Sequence, residues 1–253
     1  MTSPNELPLN QLQFYLSAPY PCSYLPSETA QSLMATPQHL VNASIYSHLI
    51  GQGFRRSGDF AYRPHCPHCQ ACVSIRVVLK DFTPNRSQKR AFKQHQHLTI
   101  RILPVDFHEA HFALYSAYIK ARHTNEQAES EQDTDNKDEP AKQTEKEQYH
   151  SFLCQSHVDS VLVEFSDNDQ LKMVSVVDIV DDGMSAVYTF YDTSDAKASL
   201  GTYNVLWQIE WAKSFNLPYL YLGYWIKDSQ KMAYKQNFQP QQQLVNGTWQ
   251  NHI

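Results

Sequence analysis

The chain has 253 residues, 42% hydrophobic and 19% charged, with a formal net charge of −5. That is apolar material enough for one or two packed domains, and it excludes a fully disordered chain. No apolar run approaches the roughly 18 residues of a membrane helix, and the opening MTSPNELPLNQLQFYL lacks the basic and apolar regions of a signal peptide, so the cytoplasm is the expected compartment.

In chain order, residues 1–30 are rich in proline and aromatics and read as an extended, turn-containing segment. Leu40, Val41, Ile45, Leu49 and Ile50 recur at helical spacing, which predicts a helix over 38–52 ending near Gly51 or Gly53. Val73 to Leu79 alternates and is β-branched, so it reads as a strand. Asn85 to His97 reads as a helix with Arg86, Lys89, Arg90 and Lys93 on one face. Residues 106–121 form an amphipathic helix with Asp106 as its expected cap. A segment with almost no apolar residues follows, from Thr124 to Gln148, and reads as a loop. His157 to Phe165 and Leu171 to Val180 are strands joined by a turn, and Asp181-Asp182-Gly183 turns the chain into a third strand, MSAVYTFYD. SLGTYNVLWQIEWAKSFN is a helix, LPYLYLGYW a strand and SQKMAYKQNF a short helix. The second half is thus β-β-β-α-β-α. The fold class is α+β, with a Cys-containing basic domain over 1–105 and an α/β domain over 106–253.

Charge is unevenly spread. Residues 124–148 hold nine acids against three bases, whereas 53–101 hold ten bases against two acids. That basic stretch, interleaved with Phe54, Phe60, Tyr62 and Phe92, suits a polyanion; a solvated basic face explains it equally well.

Five cysteines in a cytoplasmic chain point to metal, redox or buried thiols. Cys66, Cys69 and Cys72 form a C-x2-C-x2-C run, and Cys22 upstream can complete four ligands, with His65 or His68 as substitutes. Zinc and an iron–sulfur cluster both suit this set. Cys154 has no such partners and reads as a small buried hydrophobe.

The runs FYLSAPYPCSYLP, GFRRSGDFAYRPHCPHCQACVSIRV, NRSQKR, YIKARH, SAVYTFYD, SLGTYNVLWQIEWA and YLYLGYWIKDSQKMAYKQNF resemble those of the bacterial leucyl-tRNA–protein transferases. The resemblance runs from about Phe14 to Phe238. It implies transfer of leucine to proteins beginning with Asp or Glu, within the N-degron pathway, and kinship to the eukaryotic arginyl-tRNA–protein transferases. It also implies a C-terminal domain similar to GCN5-related N-acetyltransferases and an N-terminal domain whose cysteines are linked to metal. Lys197 and Ala198 stand where the family's arginine usually precedes the Ser-Leu-Gly run.

The implied reaction is aminolysis of an ester by an α-amine, whose ordinary pKa is about 7.7–8.0. It requires no cofactor and no covalent enzyme intermediate, only a proton acceptor, donors for the oxyanion and positive charge for the acceptor's carboxylate. Asp178, a carboxylate inside the apolar strand VSVVDIV, is the expected base; a strand-end pairing with the backbone is the alternative. Tyr188 and Tyr191 lie on opposite strand faces, so one is expected to reach a pocket as proton relay. Tyr224 or Trp225 is placed to stack on the terminal adenine beside Gly223. Ser199 and Gly201 stand at a helix start suited to a phosphate, although an ordinary cap also explains Ser199. Lys227, Lys231 and Lys235 share a helix face and, with Arg86 and Arg90, suit tRNA phosphates. Arg55, Arg56, Arg63 and Arg76 are candidates for the acceptor carboxylate. An arginyl-tRNA donor, a non-catalytic RNA-binding module and an acetyl-CoA-dependent acetyltransferase are the competing readings; the last is weakened by the single glycine of ASLGTYNVL.

Overall fold

The computed structural model describes residues 11–127, 144–195 and 197–251. The front of the chain forms β1 (Gln13–Leu16), β2 (Tyr20–Pro21), β3 (Thr29–Ala30), β4 (Ser32–Thr36), α1 (Ala43–Gly51), β5 (Arg55–Ser57) and β6 (Phe60–Pro64). Four of these strands make an antiparallel sheet in the order β1-β4-β6-β5. The Asn42 side chain accepts the Ile45 N–H and starts α1, satisfying one of the helix's orphan donors. The helix buries Ile45, Tyr46, Leu49 and Ile50 against Phe54 and Ala61, and against Val180 and Tyr221 of a second, larger sheet.

That larger sheet is built from β7 (Val73–Val78), β8 (Thr99–Pro104), β9 (Ser160–Asp167), β10 (Gln170–Val180), β11 (Gly183–Tyr191), β12 (Tyr219–Trp225), β13 (Gln241–Val245) and β14 (Thr248–Asn251). Its order is β14-β13-β7-β12-β11-β10-β9-β8, and only β11 and β12 are parallel. Helices cover both faces. α2 (Arg86–Gln94) and α5 (Leu200–Ser214) pack on one, and α3 (Glu109–Gln127) and α4 (Glu145–Tyr149) on the other. β10 therefore reads as a nearly continuous apolar run. Met173 and Val177 enter the core under α5, while Val174 and Val176 enter the core under α3. Each fully buried valine contributes about 1.5–3 kcal/mol.

The predicted strand–strand–strand–helix–strand order of the second half is observed. Four expectations need correction. The boundary near residue 105 cuts through the large sheet, because β7 and β8 precede it and pair with strands that follow it. Asp106 does not cap α3; its carboxylate accepts the neighbouring Phe107 N–H, and the helix begins at Glu109. The loop expected over 124–148 is shorter at both ends, since α3 runs to Gln127 and α4 starts at Glu145 behind a Thr144–Glu147 capping box; residues 128–143 lie outside the described residues. The segment Gln230–Asn237 is a 3-10 helix and not an α-helix, and Lys227 lies before it, so Lys227, Lys231 and Lys235 do not form one α-helical face.

Candidate active site

The site opens where two parallel strands diverge. β11 and β12 pair only over Gly183–Ser185 and Tyr219–Tyr221. Beyond that point β11 carries a bulge, its register against β10 stepping past Val187. The carbonyls of Ala186 and Val187 both accept from Arg55 Nη2, at 2.9 Å each. On the opposite strand Gly223 has φ +72°, and a Cβ there would collide with the Arg55 guanidinium. A left-handed residue without a side chain is what lets the guanidinium lie in the gap. Arg55 belongs to β5, so a side chain from the small sheet wedges open the large one.

A cavity of about 960 Å³ lies over this wedge. It gathers Arg55, Tyr188, Tyr191, Ser199, Gly201 and Lys235 from the expected set. It also gathers Lys231, expected on the RNA-binding face, and Tyr24, Tyr118, Arg122, Asn204 and Tyr234, none of which the chemistry of the sequence singled out. Among the described lining residues the basic side chains Arg55, Arg122, Lys231 and Lys235 stand against one carboxylate, Asp195. Arg122 lies 4.9 Å over the Tyr118 ring and donates to the Tyr191 phenol. Burial pushes the Tyr188 phenol up to about 12 and holds Tyr118 higher still, so both stay protonated near neutrality. Asn204 anchors the floor: its Oδ1 accepts from Ser175 Oγ at 2.6 Å and its Nδ2 donates to Thr189 Oγ1 at 2.9 Å.

Lys235 is 5% exposed, and its Nζ donates to the Tyr224 carbonyl at 2.6 Å. Burial, reinforced by Arg55, lowers its pKa to about 7. Ser199 is no ordinary cap. Its φ is +56°, its side chain makes no capping hydrogen bond, and its hydroxyl donates instead to the Lys197 carbonyl at 3.4 Å. The first amides of α5 therefore lack a side-chain acceptor at the cavity wall. Gly201 packs against the Tyr191 ring with ordinary van der Waals room for a methyl group.

Other expected residues lie elsewhere. Asp178 is fully buried and bound by Arg56 through Nε–Oδ2 (2.8 Å) and Nη2–Oδ1 (2.6 Å), with Ser160 Oγ donating to Oδ1 at 2.7 Å. Burial opposes the charge on Arg56, yet Asp178 holds its pKa above the usual range. This ion pair ties β5 to β10 and leaves Asp178 no access to a substrate, which removes both residues from the chemistry. Arg76 is packed 3.5 Å over the Tyr219 ring and 4.3 Å from the Trp249 ring, and donates to Tyr221 and Gln242. Arg63 stacks 5.1 Å from the Phe54 ring and donates to the Gln52 carbonyl. The Tyr224 ring is buried and its hydroxyl donates to the Gly53 carbonyl, so it offers no face to a base. Lys227 is exposed and lies off the cavity.

Cys22, Cys66, Cys69 and Cys72 line a second cavity of about 640 Å³. Burial, with the three neighbouring thiols, pushes the Cys72 thiol up to about 12. Among the described residues no group of three or more His, Cys, Asp or Glu side chains is set to hold an ion. Cys66 instead directs its thiol at the Gln31 carbonyl. Arg86, Lys89, Arg90 and Lys93 are exposed along α2, whose start carries the Asn85–Gln88 capping box.

Two family models match the chain: the C terminus of arginine-tRNA-protein transferase over residues 110–245 and its N terminus over residues 20–90. The protein is an aminoacyltransferase. It belongs to the arginine-tRNA-protein transferase family. It is 56% identical to the aspartate/glutamate leucyltransferase of Methylobacillus flagellatus, over 98% of this chain and 95% of that one. It is 53% identical to that of Thiobacillus denitrificans, over 98% of both chains. A solved structure of L-PGS from Bacillus licheniformis aligns with a TM-score of 0.43 at 9% identity, over 72% of this chain and 59% of that one, too loosely to bear on fold or activity.

Proposed function

We propose that this protein transfers leucine from leucyl-tRNA to the α-amine of proteins that begin with Asp or Glu. The observation that carries the reading is the cavity's charge: among the described lining residues three cations, Arg55, Arg122 and Lys231, stand against one carboxylate, and that excess suits two anions at once, an RNA terminus and an acidic side chain. The names of the relatives supply the leucine and the acidic acceptor. The RNA's terminal phosphate is assigned to the open start of α5, where free amides and the helix dipole favour an anion. α2 packs on α5, so its exposed basic face extends the track for the RNA backbone.

The acceptor's carboxylate is assigned to Arg122. Arg55 is committed to two carbonyls, whereas Arg122 is exposed at the cavity and makes no ion pair with a described residue. The amine attacks the ester carbonyl, an oxyanion forms and collapses, and the ribose oxygen leaves; the α5 amides are the nearby donors for the developing charge. No step passes through the four thiols. Charged tRNA puts the reaction in the cytoplasm, and among the described residues no helix is long and apolar enough to cross a membrane.

The test incubates the protein with labelled leucyl-tRNA or arginyl-tRNA and peptides starting with Asp, Glu, Arg or Lys. Leucine is expected on the Asp and Glu peptides alone. Transfer from arginyl-tRNA instead would reassign the donor, and transfer from neither would end the reading.

A further inference from the structure

Lys235 is a buried lysine without a counter-charge. Among the described residues it forms no ion pair, and the one hydrogen bond described from its Nζ goes to the Tyr224 carbonyl. A backbone carbonyl accepts one N–H. It does not offset a full positive charge held away from water, so the cationic form is poorly supported here. The neutral amine fits the same place. It donates one N–H to Tyr224 and keeps a lone pair in a side chain that lines the cavity. The surrounding ionisable groups work in the same direction. Arg55, reaching in from β5, is the charge that acts on Lys235. Arg122 from α3 and Lys231 from the 3-10 segment add positive charge around the cavity, and Asp195 from the loop before α5 is the single carboxylate. Tyr234 brings a phenol whose pKa burial raises.

We propose that Lys235 is the catalytic proton acceptor, taking a proton from the acceptor's α-ammonium so that the amine can attack the ester. The assignment rests on the aminoacyl-transfer reading above. Its proton count closes. The ammonium brings three protons. One stays on the new amide nitrogen. One goes to the ribose oxygen as the carbon–oxygen bond breaks. One is carried off by Lys235 and returned to solvent as the products leave. The carbon–nitrogen bond forms from the amine's lone pair, and the ribose oxygen departs with the pair of the broken bond. The lowered basicity of Lys235, near 7, lies close to that of the amine it must deprotonate, which suits an acid–base group working at neutral pH.

The experiment measures kcat and KM for leucyl transfer to an Asp-starting peptide between pH 5.5 and 9, for the wild-type chain and for Lys235→Met, Lys235→Arg and Lys235→Ala. The methionine keeps the stem's packing and removes the amine; the arginine keeps the charge and cannot release a proton. Both are expected to lose at least 100-fold in kcat, with KM for leucyl-tRNA within about threefold and an acid limb that no longer breaks near pH 7. Added methylamine or ethylamine is expected to restore part of the Lys235→Ala rate in proportion to the amine's basicity, which a purely structural lysine would not allow. Wild-type transfer together with Met and Arg variants that keep kcat and the pH profile would overturn the assignment and leave the transfer reading standing. Absence of transfer by the wild-type chain would overturn the transfer reading itself.

Discussion

Replacing Asp178 with Asn is expected to damage the fold rather than the chemistry. The carboxylate receives two hydrogen bonds from Arg56 and one from Ser160, and neither charged side chain is more than 3% exposed. Asparagine leaves the Arg56 guanidinium buried without a charge partner and turns one acceptor into a donor facing Nη2 or Nε. Breaking a buried ion pair from one side costs about 3–5 kcal/mol. With a urea slope of about 2–3 kcal/mol/M, the unfolding midpoint should fall by about 1–2.5 M. The assay pairs urea unfolding followed by tryptophan fluorescence with transfer kinetics in the range where the variant is still folded. There kcat should stay within a few-fold of wild type. A variant with an unmoved midpoint and kcat reduced by 100-fold or more would refute this reasoning and restore Asp178 as the base.

Reversing charge at Arg86 and Arg90 should weaken leucyl-tRNA binding about tenfold or more at low salt and flatten the slope of log K against log salt by about two units; filter binding across a salt series checks it. Arg122→Ala should raise KM for an Asp-starting peptide about 10–150-fold, the loss of one charge-assisted contact of about 1.5–3 kcal/mol, and leave KM for leucyl-tRNA unchanged; steady-state kinetics with each substrate varied in turn decides it. His111 is fully buried with Nδ1 unpartnered, and burial holds its pKa below the usual value despite Glu164 at 2.5 Å. Its folded pKa lies under its unfolded one of about 6.5, so the stability it provides is complete above pH 6.5 and drains away as pH falls from there. The urea midpoint should therefore drop less steeply between pH 7.5 and 5.5 in His111→Gln than in wild type.

Local chemistry made much of this architecture readable. The alternating run of β7, the β-branched and apolar runs of β9, β10 and β11 and the Asn85–Gln88 start of α2 depend on near neighbours, and a reading of neighbours finds them. The terminal hairpin β13–β14, absent from the predicted elements, turns at Asn246-Gly247, whose φ values of +50° and +76° are those of a two-residue hairpin turn. What the residues could not disclose is pairing at a distance. Nothing near Asp178 announces Arg56 across 122 positions, and without that partner a buried carboxylate resembles a base. Four-residue spacing suggests one face for Lys227, Lys231 and Lys235 only if one α-helix holds all three, and here a 3-10 helix starts after Lys227. Tyr118 and Arg122 sit in an ordinary amphipathic pattern; only the packing of α3 on β11 brings them to the cavity.

The position of β7 bears on how the protein is made. The strand is complete by residue 78, yet both strands that flank it begin after residue 218. At about 5–20 residues per second, a ribosome leaves VSIRVV without its partners for roughly 7–30 seconds. During that interval the nascent chain displays an adhesive β-branched segment in which Arg76 is the one charge, a built-in deterrent to pairing with another unfinished copy. Once the chain closes, Tyr219 and Trp249 cover that same arginine, so a guard needed during synthesis ends as part of the finished interior.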